Sequence, residues 1–190
     1  MEDTIYKMLY NAPIGKMIIV SNGVSIIEID HINHEELMIS NPDDLCQLAA
    51  KQLGEYFAGH RTEFDLPLRA IKGTDFQSKA WVALTTIPYG ETISYGEQAK
   101  RMDNPKAVRA VGGANGKNPF SIVVPCHRVI GANGTLTGYT GGMNRKEWLL
   151  DFERSVRLKL TNNSLSFPTA RDERDRESLF MLNTKYDKQY

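Results

Sequence analysis

No stretch of the 190-residue chain approaches the ~20 consecutive apolar residues that a membrane span requires. The first residues, Met1-Glu2-Asp3-Thr4, are acidic and lack the apolar core of a secretory leader. Cysteine is scarce. Cys46 and Cys126 are the only two, enough for one disulfide, and without an export signal both are expected as free thiols in a reducing compartment. There is no internal repeat, and there is no net charge, since 23 Lys and Arg balance 23 Asp and Glu. What remains, 41% hydrophobic and 24% charged, is an ordinary soluble globular composition with room for one large domain or two small ones.

The neutrality is not uniform. Residues 1–70 carry a net charge of −6, residues 71–153 carry +3 and residues 154–190 carry +3. A uniformly neutral chain would argue against a polyanionic partner, but this segregation permits a basic face on the second region. The patterning divides at the same place. Thr4–Tyr10, Met17–Val20 and Val24–Ile29 read as strands, the last two joined by the turn signal Ser21-Asn22-Gly23. His31–Asn41 is a polar connection or a short helix. Pro42-Asp43-Asp44 then opens a helix through Leu45, Leu48, Ala49, Leu53, Tyr56 and Phe57 that Gly59 ends. In the second region Gly73-Thr74-Asp75 offers an N-cap to a helix with Phe76, Trp81, Val82 and Leu84 on one face. Ser94, with Glu97 three residues on, predicts a capping box and a helix over Tyr95–Met102. Asp103-Asn104-Pro105 breaks it, and Lys106–Ala114 forms another, ended by Gly116. Two short helices across a tight turn read as a helix-turn-helix. Arg145 to about Arg157 is a last amphipathic helix, with Trp148 expected in the core alongside Trp81 and Phe76.

The chain is organised around Pro125-Cys126-His127-Arg128-Val129. The β-branched run Ile122-Val123-Val124 before it predicts a short buried strand, stopped by Pro125, which has no N–H to give a ladder. Cys126 is therefore expected just past a strand end. Cationic neighbours lower a thiol pKa, and the thiolate is the reactive form, so Cys126 reads either as a nucleophile or as a small buried hydrophobe.

The surrounding motifs bear on that choice. They are Ile87-Pro88-Tyr89-Gly90-Glu91-Thr92-Ile93-Ser94-Tyr95-Gly96, Arg109-Ala110-Val111-Gly112-Gly113-Ala114-Asn115, Lys117-Asn118-Pro119, Gly138-Tyr139-Thr140-Gly141-Gly142 and Lys146-Glu147-Trp148-Leu149-Leu150. Together with the Pro-Cys-His-Arg-Val run they resemble the O6-alkylguanine-DNA alkyltransferases. The resemblance is dense over residues 74–153, weaker over residues 1–73 and absent after about residue 155. It implies an α/β fold: a small N-terminal antiparallel sheet with a helix, then a mainly helical domain holding a helix-turn-helix and a short strand leading to Cys126. The expected divisions are residues 1–70, residues 71–158 and a polar, loosely ordered extension over residues 159–190, with a short helix over Arg174–Leu182 as an option.

The resemblance also assigns roles. Cys126 accepts the alkyl group, His127 takes its proton through a water, Glu153 polarises His127, and Asn118 hydrogen-bonds near the nucleophile. Tyr95 donates toward the leaving base. Tyr139, Thr140 and Gly141 wall the base pocket, and Lys146 ties the last helix to that loop. Arg109 fills the gap left by a base flipped from the duplex. Ser94, Tyr95, Ala110, Gly112, Gly113 and Arg128 face DNA, with Lys100, Arg101, Lys106 and Lys117 as phosphate contacts. The expected partner is double-stranded DNA carrying alkylated guanine or thymine. No membrane, no cofactor and no metal are expected: His31, His34, Cys46 and His60 do not have a trustworthy ligand spacing. The protein is expected to be monomeric, cytoplasmic and DNA-associated. Two other readings are a non-catalytic module that binds alkylated DNA and a thiol hydrolase or redox protein using Cys126.

Overall fold

The structure, a computed structural model, describes residues 4–32 and 40–162. Three strands, β1 (Tyr6–Ala12), β2 (Gly15–Ser21) and β3 (Ile26–His31), form an antiparallel meander in the order β1-β2-β3. Its second turn carries the chemistry that the Ser-Asn-Gly signal implies. Asn22 Oδ1 accepts from the Val24 and Ser25 amides at 3.1 and 2.9 Å, and Gly23 takes φ +84°. Helix α1 (Asp44–Phe57) is capped by Asp43, whose carboxylate accepts from the Cys46 amide at 2.8 Å and from Ser21 Oγ at 2.7 Å, so the cap also fixes the helix start to the sheet. Cys46, Ala49, Leu53 and Tyr56 recur at helical spacing and bury against Met17, Ile19, Ile26 and Ile29.

The second region builds α2 (Asp75–Thr85), a short strand β4 (Ile93–Ser94), α3 (Tyr95–Arg101), α4 (Val108–Asn115), a 3-10 turn at Cys126–Arg128, β5 (Val129–Ile130) and α5 (Met143–Asn162). Thr74 caps α2 with a reciprocal box through Gln77. At α3 only half of the expected box forms. Ser94 Oγ accepts from the Glu97 amide at 3.0 Å, while the Glu97 carboxylate lies 3.6 Å from Arg101 Nε. Helices α2, α3 and α4 are locked by buried polar groups. Gln98 and Asn115 exchange amide hydrogen bonds at 3.0 and 2.7 Å, Gln98 also donates to Ala80 O at 3.0 Å, and Trp81 Nε1 donates to Ala114 O at 2.9 Å.

One apolar core runs through both regions, from Met17 and Ile19 through Tyr56, Trp81 and Leu84 to Phe120, Val124, Cys126 and Leu149. The outer edge of β3 makes the junction. Ile26 bridges Leu68, and Ile29 bridges Phe120, with Ile29 N to Pro119 O at 2.8 Å and Ser121 N to Ile29 O at 2.7 Å.

The expected strand at Ile122–Val124 is not there. The chain makes that single rung against β3 and then turns, with Ile122 at φ +75°. The Val124 amide donates back to Phe120 O at 2.9 Å, and the Val124 carbonyl accepts from Asn118 Nδ2 at 2.7 Å, so the backbone groups a ladder would use are taken locally. The run is apolar because the turn is buried. The short strand, β5, follows Cys126 instead of leading to it and pairs in parallel with β4. Helix α5 also runs past the expected end near Arg157. Thr161 Oγ1 accommodates itself to the helix by donating back to Arg157 O and Leu158 O at 3.2 and 2.9 Å, so residues 159–162, expected in a loose extension, are helical. Trp148, expected in the core, is 38% exposed and stacks on Phe152 at 5.0 Å on the outer face of α5; Phe76 is likewise only partly buried. The expectations for residues 33–39 and 163–190, including His34 and the optional helix over Arg174–Leu182, lie outside the described residues.

The Gln98–Asn115 exchange yields a stability prediction. Gln98→Leu strands the Asn115 amide and the Ala80 carbonyl in the core and should cost about 1–3 kcal/mol. Urea unfolding measures this, and the double variant with Asn115→Leu should lose less than the sum of the two single losses.

Candidate active site

Cys126 opens the 3-10 turn and is 8% exposed. Asn118 organises the chain around it. Its Nδ2 donates to Val124 O at 2.7 Å and to Cys126 Sγ at 3.3 Å, and its Oδ1 accepts from the Phe120 amide at 3.0 Å. Burial pushes the Cys126 thiol up from its ordinary value, against the Asn118 donor and the nearby Lys146 charge, which favour the thiolate. The resting group is therefore a thiol, and it becomes a nucleophile when a base takes its proton.

The base candidate is the next residue. His127 is fully buried and its Nε2 lies 2.9 Å from Glu153 Oε1. Glu153, on α5, is equally buried and collects four further donors. Tyr56 Oη at 2.8 Å and Arg128 Nη2 at 2.9 Å reach Oε1; Arg128 Nε at 2.8 Å and the Gly90 amide at 3.0 Å reach Oε2. Burial alone pushes the Glu153 carboxyl up, but His127, the Arg128 guanidinium and their hydrogen bonds outweigh it and hold the group well below the usual carboxylate range. Burial also pushes His127 down, against the pull of Glu153, which leaves a neutral ring near pH 7. A neutral imidazole facing an ionised carboxylate carries its proton on Nε2. Nδ1 is then a bare acceptor, and it has no protein hydrogen-bond partner. The turn and α5 thus bring a thiol, a histidine with an unpartnered Nδ1 and a carboxylate together in an order that activated-thiol chemistry could use.

Lys146, also from α5 and fully buried, donates to Val129 O at 2.6 Å and to Thr137 O at 2.7 Å. It joins the last helix to the loop as expected, its ammonium sits 5.8 Å from the Tyr95 ring centroid, and burial brings its pKa down to about 8. Tyr95 Oη donates to Thr137 O at 3.0 Å, into the same loop. Of the residues expected to wall a base pocket, Tyr139 contacts His31 of β3, Thr140 Oγ1 donates to Gly116 O at the end of α4 at 2.9 Å, and buried Gly141 accepts from Arg145 Nη1 at 2.6 Å. Among the described residues no three His, Cys, Asp or Glu side chains gather as a metal set, and no helix is long and apolar enough to cross a membrane.

The groups expected to face DNA divide. Arg109, Ala110 and Gly113 lie exposed on the outer face of α4, with Lys106 and Lys117 at its ends. Gly112 is half-buried and faces the Tyr95 ring, where a Cβ would sit 3.8 Å away in ordinary contact. Ser94 is engaged as the α3 cap. Arg128 is the correction. It is 6% exposed, makes a two-pronged ion pair with Glu153, donates to Ile87 O at 2.7 Å and lies 5.4 Å from the Tyr89 ring, so it faces the core and not a ligand. Its nearness to Cys126 in sequence does not spend its charge on the thiol. Tyr56 and Gly90 escaped the sequence reading. Tyr56 looked like one more apolar position on α1, and the one hint for Gly90 was its place after Pro88-Tyr89 in a turn.

Comparison with known proteins gives a consistent result. Residues 75–155 match the DNA-binding domain of 6-O-methylguanine DNA methyltransferase, and residues 5–70 match its ribonuclease-like domain. The chain is 63% identical over 107 residues to a Mycobacterium tuberculosis methylated-DNA–protein-cysteine methyltransferase, a match covering 56% of this chain and 64% of that protein. It is 45% identical over 157 residues to the Methanosarcina acetivorans protein of the same name, covering 80% of this chain and 99% of that one. In structure it is similar to Mycobacterium tuberculosis OGT in complex with DNA, with a TM-score of 0.71 and 48% identity over 80% of this chain and 93% of that one.

The ion pair predicts its own sensitivity. Arg128→Leu leaves Glu153 buried without its counter-charge and should cost about 3–5 kcal/mol, measured by urea unfolding. The titrations set a pH dependence too. His31 and His127 both sit below 6.5 in the fold, so unfolding takes up protons as pH falls past 6.5, and stability should decline there; Glu153, below its ordinary 4.5, adds a further loss at lower pH. Unfolding free energies at about pH 7.5, 6 and 5 test the sign.

Proposed function

The chain belongs to the 6-O-methylguanine DNA methyltransferase family, and we propose from that premise that it repairs DNA by moving the alkyl group of O6-alkylguanine onto Cys126. The observation that carries the reading is the buried thiol held beside a neutral His127 whose Nε2 is fixed on Glu153 and whose Nδ1 is free. His127 Nδ1 takes the Cys126 proton through a water. The sulfur attacks the alkyl carbon, a carbon–sulfur bond forms, the bond from carbon to guanine O6 breaks, and the electron pair leaves with the base. Tyr95 turns its hydroxyl from the Thr137 carbonyl to the base edge and offsets the charge there. The thioether has no route back, so each molecule acts once.

A base stacked in a duplex cannot reach a thiol that is 8% exposed, so the nucleotide is flipped out. The outer face of α4, with Ala110 and Gly113, enters the ~6 Å minor groove and Arg109 fills the gap in the stack. O4-alkylthymine is a second, slower substrate. The non-catalytic binding module is disfavoured by the Cys126–His127–Glu153 sequence of groups, which binding alone does not require.

Incubation with O6-benzylguanine followed by intact-mass measurement should add one benzyl group, on Cys126 alone. Cys126→Ser should abolish transfer, and label on Cys46 would refute the assignment; the Cys46 thiol is buried and pushed up to about 12. The single-turnover rate should be nearly flat from about pH 6.5 to 7.5 and fall below that range as His127 protonates. A tenfold rise per pH unit across it would mean that the thiol ionises unaided. Arg109→Ala should slow repair in duplex DNA by the equivalent of a few kcal/mol while sparing the free base.

A further inference from the structure

His31 reads in the sequence as a stray member of an unconvincing metal set. In the structure it ends β3, and its Nε2 lies 3.3 Å from Tyr139 Oη, with the two rings edge to face and 6.0 Å between centroids. The glycine loop closes down on it. A Cβ at Gly141 would lie 2.5 Å from His31 Cδ2 and 2.7 Å from the Tyr139 ring, so only glycine lets the loop backbone approach this closely. The N-terminal sheet holds the same loop from a second point. Arg145 donates from Nε to Ile14 O at 2.7 Å, in the β1–β2 turn, and from Nη1 to Gly141 O at 2.6 Å. Tyr139 is therefore in contact with the end of β3 through His31, and the loop backbone at Gly141 packs against both rings. Burial and the Arg145 charge bring the His31 pKa down to about 4, so the ring is neutral near pH 7 and brings no charge to the pocket.

We propose that His31 is a positioning residue that sets the depth of the alkyl pocket: by backing Tyr139 and Gly141 it holds the wall close to Cys126 and favours small alkyl groups over bulky ones. The inference rests on the proposed alkyl transfer. It assigns substrate selection partly to the N-terminal sheet, which carries none of the reacting groups. Shortening His31 leaves room into which Tyr139 and the loop can move, which widens the pocket and loosens the wall a small substrate needs.

The test compares single-turnover rates on two duplex oligonucleotides of one sequence, carrying O6-methylguanine or O6-benzylguanine, for wild type, His31→Ala and His31→Gln. His31→Ala should slow methyl transfer several-fold and raise the benzyl-to-methyl rate ratio about tenfold. His31→Gln, which keeps a hydrogen-bonding group of similar reach, should restore most of the wild-type ratio. Circular dichroism and thermal unfolding monitor folding, and His31→Val, a milder truncation that should raise the ratio by a smaller factor, stands in should His31→Ala fold poorly. An unchanged ratio in folded His31→Ala, or equal slowing on both substrates, would overturn the proposal. Absence of transfer to Cys126 in the wild type would instead overturn the alkyl-transfer reading beneath it.

Discussion

A carboxylate with no access to water holds this molecule together. Moving such a group from water into a protein interior costs several kcal/mol, and the interior must return that in hydrogen bonds and opposite charge. Glu153 receives both, from Tyr56 on α1, Gly90 in the turn before β4, and His127 and Arg128 beside the cysteine. Three segments far apart in the chain converge on two oxygen atoms of a fourth, α5. A carboxylate offers about four lone-pair sites, so five donors saturate it, and none of the contributing segments can move without leaving an unpaired buried group.

The chemistry proposed for the cysteine follows from that convergence. Because Glu153 is ionised and bonded to Nε2, the imidazole has one tautomer, and its free lone pair is on Nδ1. Because Arg128 neutralises Glu153, the buried histidine is not forced to carry a proton, and it stays competent as a base. A thiol raised by burial stays protonated until a base acts on it, which is the part proposed for His127. Stability and reactivity thus depend on the same buried cluster.

The loop over the site draws on a wider frame. Thr140 reaches the end of α4, Lys146 and Arg145 come from α5, and His31 comes from β3. The helix proposed for the minor groove, the proposed pocket wall and the N-terminal sheet share one loop.

Local sequence determined much of this protein. Period-two and helical patterning, with Asn22, Asp43, Thr74, Ser94 and Gly59 as punctuation, placed the three strands and the helices, because turns and caps depend on hydrogen bonds between near neighbours. The motifs of the second region singled out Cys126, His127 and Glu153 through the family resemblance, and the fold brings His127 and Glu153 within hydrogen-bond distance. Tertiary structure decided what depends on partners distant in the chain. Ile122–Val124 has the composition of a strand, yet forms a turn because β3 offers a single rung and Asn118 takes the remaining carbonyl. Arg128 carries the charge of a DNA contact, yet is buried because its nearest carboxylate in space is 25 residues away. Tyr56 and His31 looked like a core residue and a surplus histidine; only the fold brings their polar atoms to Glu153 and Tyr139, since a hydrogen bond across 97 or 108 residues leaves no periodicity to read.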